Sequence, residues 1–171
     1  MFLVSTDGVL DFDLDLLTEL LAAIDSQLDR IELQSEQFPD QDSTGHFDRM
    51  EGLVGLGFVA CQQYIHATYA QLGAGSKAKA LQSPPIHSCG RPVAELINAA
   101  ANFWKHHDEW PTSNQSHEAR TRATIDVLTA SSADYVLTNV LHELLRPAPP
   151  RFAGLLERLS LWRDSFSTPS S

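Results

Sequence analysis

The chain has 171 residues, of which 43% are hydrophobic and 20% charged, and its formal net charge is −10 at pH 7. This length and composition fit one globular domain and exclude a fibrous repeat or a wholly disordered chain. The sequence has no run of about 18 apolar residues and no basic start followed by an apolar core, so it predicts a cytoplasmic protein without a membrane partner.

The negative charge is concentrated in the first third of the chain. Residues 1–51 hold 13 of the 22 acidic residues but only two of the 12 basic ones, Arg30 and Arg49. The negative electrostatic potential of this segment disfavours binding of nucleic acid or an anionic membrane there and favours a protein partner with a basic surface. The same charge is typical of a solvated helix face, so both interpretations stay open.

The first predicted helix runs from Leu14 to Gln37, with Asp13 as its N-cap. Apolar residues spaced by three and four predict its buried stripe, namely Leu17, Leu20, Leu21, Ile24, Leu28 and Ile31. Four acids are predicted to lie on its outer face and to serve association rather than folding: Asp25, Asp29, Glu32 and Glu36.

The second predicted helix, from Phe47 to Leu72, is expected to be the centre of the fold. Its predicted buried stripe is Met50, Val54, Phe58, Cys61, Ile65 and Leu72. Three glycines inside it, Gly52, Gly55 and Gly57, each cost about 1 kcal/mol relative to alanine, so we expect a neighbouring helix to approach closely there. The irregular segment 73–90 that follows is expected to be a binding element or a disordered loop.

A third helix is predicted to begin at Pro92 and to include the densest group of reactive side chains, Asn98 to Trp110. A helical wheel places His107 among the apolar residues, where it either has a hydrogen-bond partner in the core or faces a cleft. On the other side Asn98, Asn102 and His106 follow one another at intervals of one turn, with Glu95 and Glu109 beside them.

This polar side supplies the candidate catalytic residues, Asn102, His106, His107 and Glu109. An imidazole next to amides and carboxylates suits general acid–base chemistry, but an exposed helix face has the same composition. No histidine or acid spacing matches a metal site, and no phosphate loop is present, so neither a metal nor a cofactor is predicted. Cys61 and Cys89 are expected to be free thiols.

Later residues predict further helices and complete the fold class. A fourth helix is expected from about Ser116, and two more carry Val136, Val140, Leu141 and Leu144, then Phe152, Leu155, Leu156, Leu159 and Trp162. The predicted architecture is an all-α, single-domain bundle of five or six helices with a long central helix, spanning residues 1–166. Residues 167–171 are predicted to be a flexible tail.

The stretch from Asn102 to His106, after a long central helix, resembles the HEPN superfamily. Members of that superfamily are helical bundles, often toxins or phage-defence components, and the active ones are metal-independent ribonucleases that act as dimers. Their motif is an arginine, commonly followed by Asn, Asp or His, and then a histidine four to six residues later. Asn102 and His106 match the later part of this motif, whereas Ala101 stands in place of the arginine.

The acidic N-terminal surface and the absence of a complete catalytic set favour a noncatalytic or regulatory bundle of the bacterial-defence or toxin–antitoxin type that binds a macromolecular partner. The alternative is a ribonuclease that uses His106 and Asn102 on an RNA substrate. The resemblance also leaves a homodimer open. An enzyme should place His106 and Asn102 in a cleft or at a dimer seam, and a binding protein should leave them on open surface.

Overall fold

The part of the chain that the structure describes contains a short β-hairpin and six helices, and residues 119, 121 and 123–126 are helical as well. The computed structural model describes residues 2–5, 8–38, 45–106, 119, 121, 123–126 and 134–166. Strands β1 (Phe2–Ser5) and β2 (Gly8–Asp11) pair antiparallel, with Phe2 opposite Asp11. The helices are α1 (Phe12–Ser35), α2 (His46–Thr68), α3 (Lys77–Leu81), α4 (Val93–His106), α5 (Val136–Leu145) and α6 (Ala153–Asp164).

The predicted all-α class is confirmed, since helices that pack around a shared core dominate the chain. Within the ranges given above, no helix combines the length and apolarity that a membrane crossing needs. Some predictions fall outside these ranges: the start of the fourth helix near Ser116, the end of the third helix beyond His106, and the tail 167–171.

Helix α1 begins earlier than predicted because a different aspartate caps it. The Oδ1 atom of Asp11, the last residue of β2, accepts the N–H of Leu14 at 3.1 Å, so the predicted N-cap Asp13 is wrong. The predicted stripe is buried except for Leu20, which is 49% exposed. Asp11 also accepts hydrogen bonds from Tyr64 and Arg163. This buried carboxylate therefore joins the start of α1 to α2 and to the end of α6.

Helix α2 is the centre of the bundle, as predicted, and packs against α1, α4 and α5. It ends at Thr68 rather than Leu72. Two of its three glycines make room for aromatic rings: a Cβ at Gly55 would lie 2.3 Å from the Trp104 ring, and one at Gly57 would lie 2.3 Å from the Phe152 ring. The predicted close approach is confirmed at these two positions and is made by side chains. Gly52 has only ordinary contact, at 3.8 Å from Trp104.

The segment 73–90 is anchored to the bundle and includes the short helix α3. The indole Nε1 of Trp162 donates to the carbonyl oxygen of Ala80 at 2.8 Å, and both residues are fully buried. Ser76 caps α3 by accepting the N–H of Lys79. The indole hydrogen bond joins α3 to α6, and α3 also packs beside α4.

The two last helices, α5 and α6, have no N-terminal side-chain cap of their own and borrow one from the first two helices. Glu51 of α2 accepts the N–H groups of Leu137 and Thr138 at 2.7 and 2.9 Å. Asp25 of α1 accepts those of Phe152 and Ala153 at 2.8 and 2.9 Å. Each carboxylate satisfies two N–H groups that the first turn of a helix leaves unpaired.

Candidate functional site: a polar cleft beside α4

Of the four candidate catalytic residues, Asn102 and His106 lie in the described part of the chain, and their surroundings differ. Asn102 is half-buried and lines a cleft, whereas His106 is exposed at the last residue of α4 and is not among the described residues that line it. His107 and Glu109 lie outside the described residues. The structure therefore brings Asn102 together with Asn98, and not with His106, at the cleft.

Asn98 and Asn102 face α2 and form hydrogen bonds to its side chains. The Nε2 of Gln62 lies 2.9 Å from the Oδ1 of each asparagine, and Gln62 is only 3% exposed. On its other side, the Nζ of Lys105 donates to the Oε1 of Gln62 at 2.8 Å. The predicted polar ladder is thus part of the contact between α2 and α4.

Lys105 fixes the orientation of the three amides in this network. An ammonium group only donates, so the Gln62 oxygen must face Lys105, and the Gln62 NH₂ group must face the asparagines. Both asparagine oxygens then accept, and this leaves the Asn98 and Asn102 NH₂ groups without a protein partner among the described residues. Neither NH₂ group is buried away from solvent, so both remain available as donors.

His66 extends this polar cluster, with its Nε2 atom 3.4 Å from the Oδ1 of Asn98. Burial lowers the pKa of His66, the positive charges of Lys77 and Lys105 lower it further, and the hydrogen bond with Asn98 acts in the opposite direction. Burial and the charge of Lys77 also lower the pKa of Lys105. Two lysines and a histidine therefore lie close together beside the asparagine pair, although the chain as a whole is acidic.

The cleft itself has a volume of about 430 Å³ and lies between α3 and α4. Its walls include Lys77, Leu81, Glu95, Asn98, Ala99 and Asn102, and two threonines at positions 121 and 124 add to them. Glu95 is the one acid of the described wall, and it is paired with Arg91 at 3.2 Å. The cleft therefore combines amide and ammonium donors with an apolar portion.

The four acids predicted to form an outer face have different surroundings. The prediction is wrong for Asp25, which is buried because the first turn of α6 packs over it. Asp29 and Glu32 are exposed, but both pair with Arg151 of the same chain. Glu36 is exposed at the C-terminal end of α1. Three of the four therefore contact the region that leads into α6.

A different part of α1 is exposed and apolar. Phe12, Leu16 and Leu20 follow one another at intervals of four residues and are 51%, 68% and 49% exposed; we call these three residues the α1 surface. Gln27, on the same side of the helix, lines a groove of about 340 Å³ that also includes Leu56 of α2. The apolar spacing does not predict this exposed apolar area, because it assigns Leu20 to the buried stripe of α1.

Three residues of the polar cluster, Gln62, His66 and Lys77, were not predicted as site residues. Gln62 follows the buried Cys61 directly, and a polar residue at the edge of an apolar stripe is the signal that could have indicated a polar contact with α4. Lys77 had no such signal, because the segment 73–90 had no predicted structure. Cys61 and Cys89 are free thiols, as predicted.

Within the described ranges, no three His, Cys, Asp or Glu side chains lie close enough together to hold a metal ion. Comparisons of the chain with protein-family models, with curated proteins and with solved structures give no match.

Proposed function

We propose that this chain is a noncatalytic or regulatory helical-bundle protein of the bacterial-defence or toxin–antitoxin type, which acts in the cytoplasm. Its partner is a protein that presents a basic amphipathic helix, and the α1 surface is where that helix binds. The observation that carries the proposal is the row of three exposed apolar side chains, Phe12, Leu16 and Leu20. Apolar side chains exposed side by side are typical of protein interaction sites.

The charge around the α1 surface supports a basic partner. Asp15 and Glu19 are exposed next to Leu16 and Leu20 on the same helix, within the segment that holds most of the acids of the chain. A helix with an apolar face and lysines at its edges complements this pattern in both respects. A second copy of this chain would bring acids against acids, which opposes association.

The geometry beside α4 supports a noncatalytic role. The Oδ1 of Asn102 accepts from Gln62, so it is committed to the contact between α2 and α4. His106 is exposed at the end of that helix rather than in the cleft that Asn102 lines. An acid–base pair needs both groups within reach of one substrate atom.

The experiment measures binding of a synthetic helical peptide with leucines on one face and lysines on the other, followed by fluorescence anisotropy. We expect binding that weakens with salt, and that weakens roughly tenfold in Leu16→Gln/Leu20→Gln, because the apolar anchors of an interface carry most of its energy. Leu161→Gln is the matched control, since Leu161 is a similarly exposed helical leucine, 53% exposed, on α6.

Two outcomes would overturn this partner assignment. One is equal affinity for a peptide in which every lysine is replaced by glutamate. The other is a dimer of the protein in sedimentation that disappears in Leu16→Gln/Leu20→Gln, since the surface would then bind a second copy.

The alternative function is a ribonuclease that uses His106 and Asn102, and the position of Asn102 in the wall of the cleft is the observation in its favour. We expect the purified protein to leave a labelled oligoribonucleotide intact. Cleavage that His106→Ala abolishes, with an unchanged melting temperature, would replace the binding function with the enzyme.

A further inference from the structure

We propose that the cleft between α3 and α4 binds a small organic oxyanion, with its charged group at Asn98, Asn102 and Lys77 and its apolar part against Leu81 and Ala99. The class includes carboxylates and phosphate monoesters, which share oxygen acceptors and negative charge. This site is distinct from the α1 surface and does not depend on the function proposed above.

The donors of the cleft are the first reason. Gln62 and Lys105 commit both asparagine oxygens to the contact with α2, so Asn98 and Asn102 have their NH₂ groups left to offer to the cleft. Two amide groups that only donate, side by side in one wall, match a ligand that only accepts. Hydrogen bonds to an ionised oxygen are stronger than those to a neutral one, so an oxyanion is preferred over an alcohol or a carbonyl group.

The local charge is the second reason. Lys77 lines the cleft and acts electrostatically on both His66 and Lys105. The two lysines repel each other, and an anion bound beside Lys77 relieves that repulsion. Glu95, the one acid in the described wall, is already paired with Arg91.

The size and the apolar wall are the third reason. A volume of about 430 Å³ falls within the ordinary range for small-molecule sites, about 300–1,000 Å³. Leu81 and Ala99 offer apolar contact within the same walls. A bare inorganic ion would leave most of this space and this apolar surface unused, which is why we infer an organic anion.

The test uses ligands that differ only in the group attached to one benzene ring: phenyl phosphate, benzoate, benzyl alcohol and benzylamine. Binding is followed by NMR through the side-chain NH₂ signals of Asn98 and Asn102. We expect phenyl phosphate or benzoate to shift these signals, with a dissociation constant on the order of 1 mM, which is ordinary for a ligand of this size. The alcohol and the amine should not shift them. The tighter of the two anions identifies the oxyanion type.

Matched variants locate the site. Lys77→Ala should weaken anion binding roughly tenfold, because it removes a charge-assisted hydrogen bond. Lys79→Ala, on the same short helix but outside the cleft wall, should leave binding unchanged. Asn98→Asp keeps an oxygen for Gln62 but replaces the donor with a negative charge, so it should abolish binding while the unfolding midpoint shows that the fold is kept.

Three results would overturn the proposal. The first is that neither anion shifts the asparagine signals. The second is that benzyl alcohol shifts them as much as the anions do. The third is that Lys77→Ala and Lys79→Ala bind the anions equally well.

Discussion

Trp104 and Gly55 form one fitted contact between α4 and α2. The indole ring occupies the space that a side chain at position 55 would need, and a Cβ there would lie 2.3 Å from the ring. The glycine costs helix stability and the ring recovers part of that cost by packing. At position 52, one turn earlier, the same indole is 3.8 Å away, so that glycine has no comparable steric reason.

These two glycines predict opposite effects of one substitution. Gly55→Ala should lower the free energy of unfolding by about 1 to 3 kcal/mol, because either the ring or the helix must move. Gly52→Ala should be neutral or raise it by up to about 1 kcal/mol, because alanine favours the helix and has room. Denaturant unfolding of both variants measures the difference. Equal effects would mean that the ring does not occupy that space.

Residue types alone indicated the glycine contacts but not the amide network. A glycine inside a long helix lowers the stability of that helix whichever side it lies on, so its presence in the sequence already indicates a structural reason. Gln62 is different, since its role depends on Lys105 and two asparagines about 40 positions away, and a single sequence does not show which helix faces which. The sequence therefore placed Asn98 and Asn102 on the polar side of the third helix without a partner on the second.

At the scale of elements, α5 and α6 depend on α1 and α2 for their first turns. Tyr135 and Phe152 precede these helices, and neither side chain provides a cap. Glu51 provides the cap of α5, 86 residues before Leu137, and Asp25 provides the cap of α6, 127 residues before Phe152. This dependence gives two acids of the N-terminal third a structural role.

Asp25→Ala should therefore lower the free energy of unfolding by about 2 kcal/mol, because two N–H groups at the buried start of α6 lose a charged acceptor. Glu36→Ala is the matched control on the same helix and should change it by less than about 0.5 kcal/mol, since Glu36 is exposed at the C-terminal end. Chemical denaturation with a shared m-value provides the comparison. Equal losses in the two variants would contradict a cap by Asp25.

The buried stripes of the helices were predictable because the apolar spacing follows the helical period. In the last two helices it identifies Val140, Leu141, Leu144, Leu155 and Leu159 as buried, and they are, whereas Val136 and Leu156 are only partly buried. The ends of the helices were less predictable. Asp11 caps α1 from the end of a strand, and an antiparallel hairpin of four-residue strands is too short for a periodicity to show.

At the scale of the whole molecule, the acidic first third has several functions at once. Asp11, Asp25 and Glu51 bind groups within the chain, and Asp29 and Glu32 pair with Arg151. Composition showed the excess of acids but not their use, because buried and exposed carboxylates contribute equally to a net charge. Asp15 and Glu19 are among the exposed acids that pair with no group named above, and they lie beside the α1 surface.

The caps that Asp25 and Glu51 provide are also ordered in synthesis, because each acceptor precedes the amides that it binds. Synthesis proceeds from the N-terminus, so Asp25 and Glu51 leave the ribosome well before the amides at 137, 138, 152 and 153 that they bind. The carboxylates of the first two helices are therefore synthesised before the first turns of α5 and α6 that they cap. The first turns of the last two helices therefore find their acceptors on side chains that were made earlier, at positions 51 and 25.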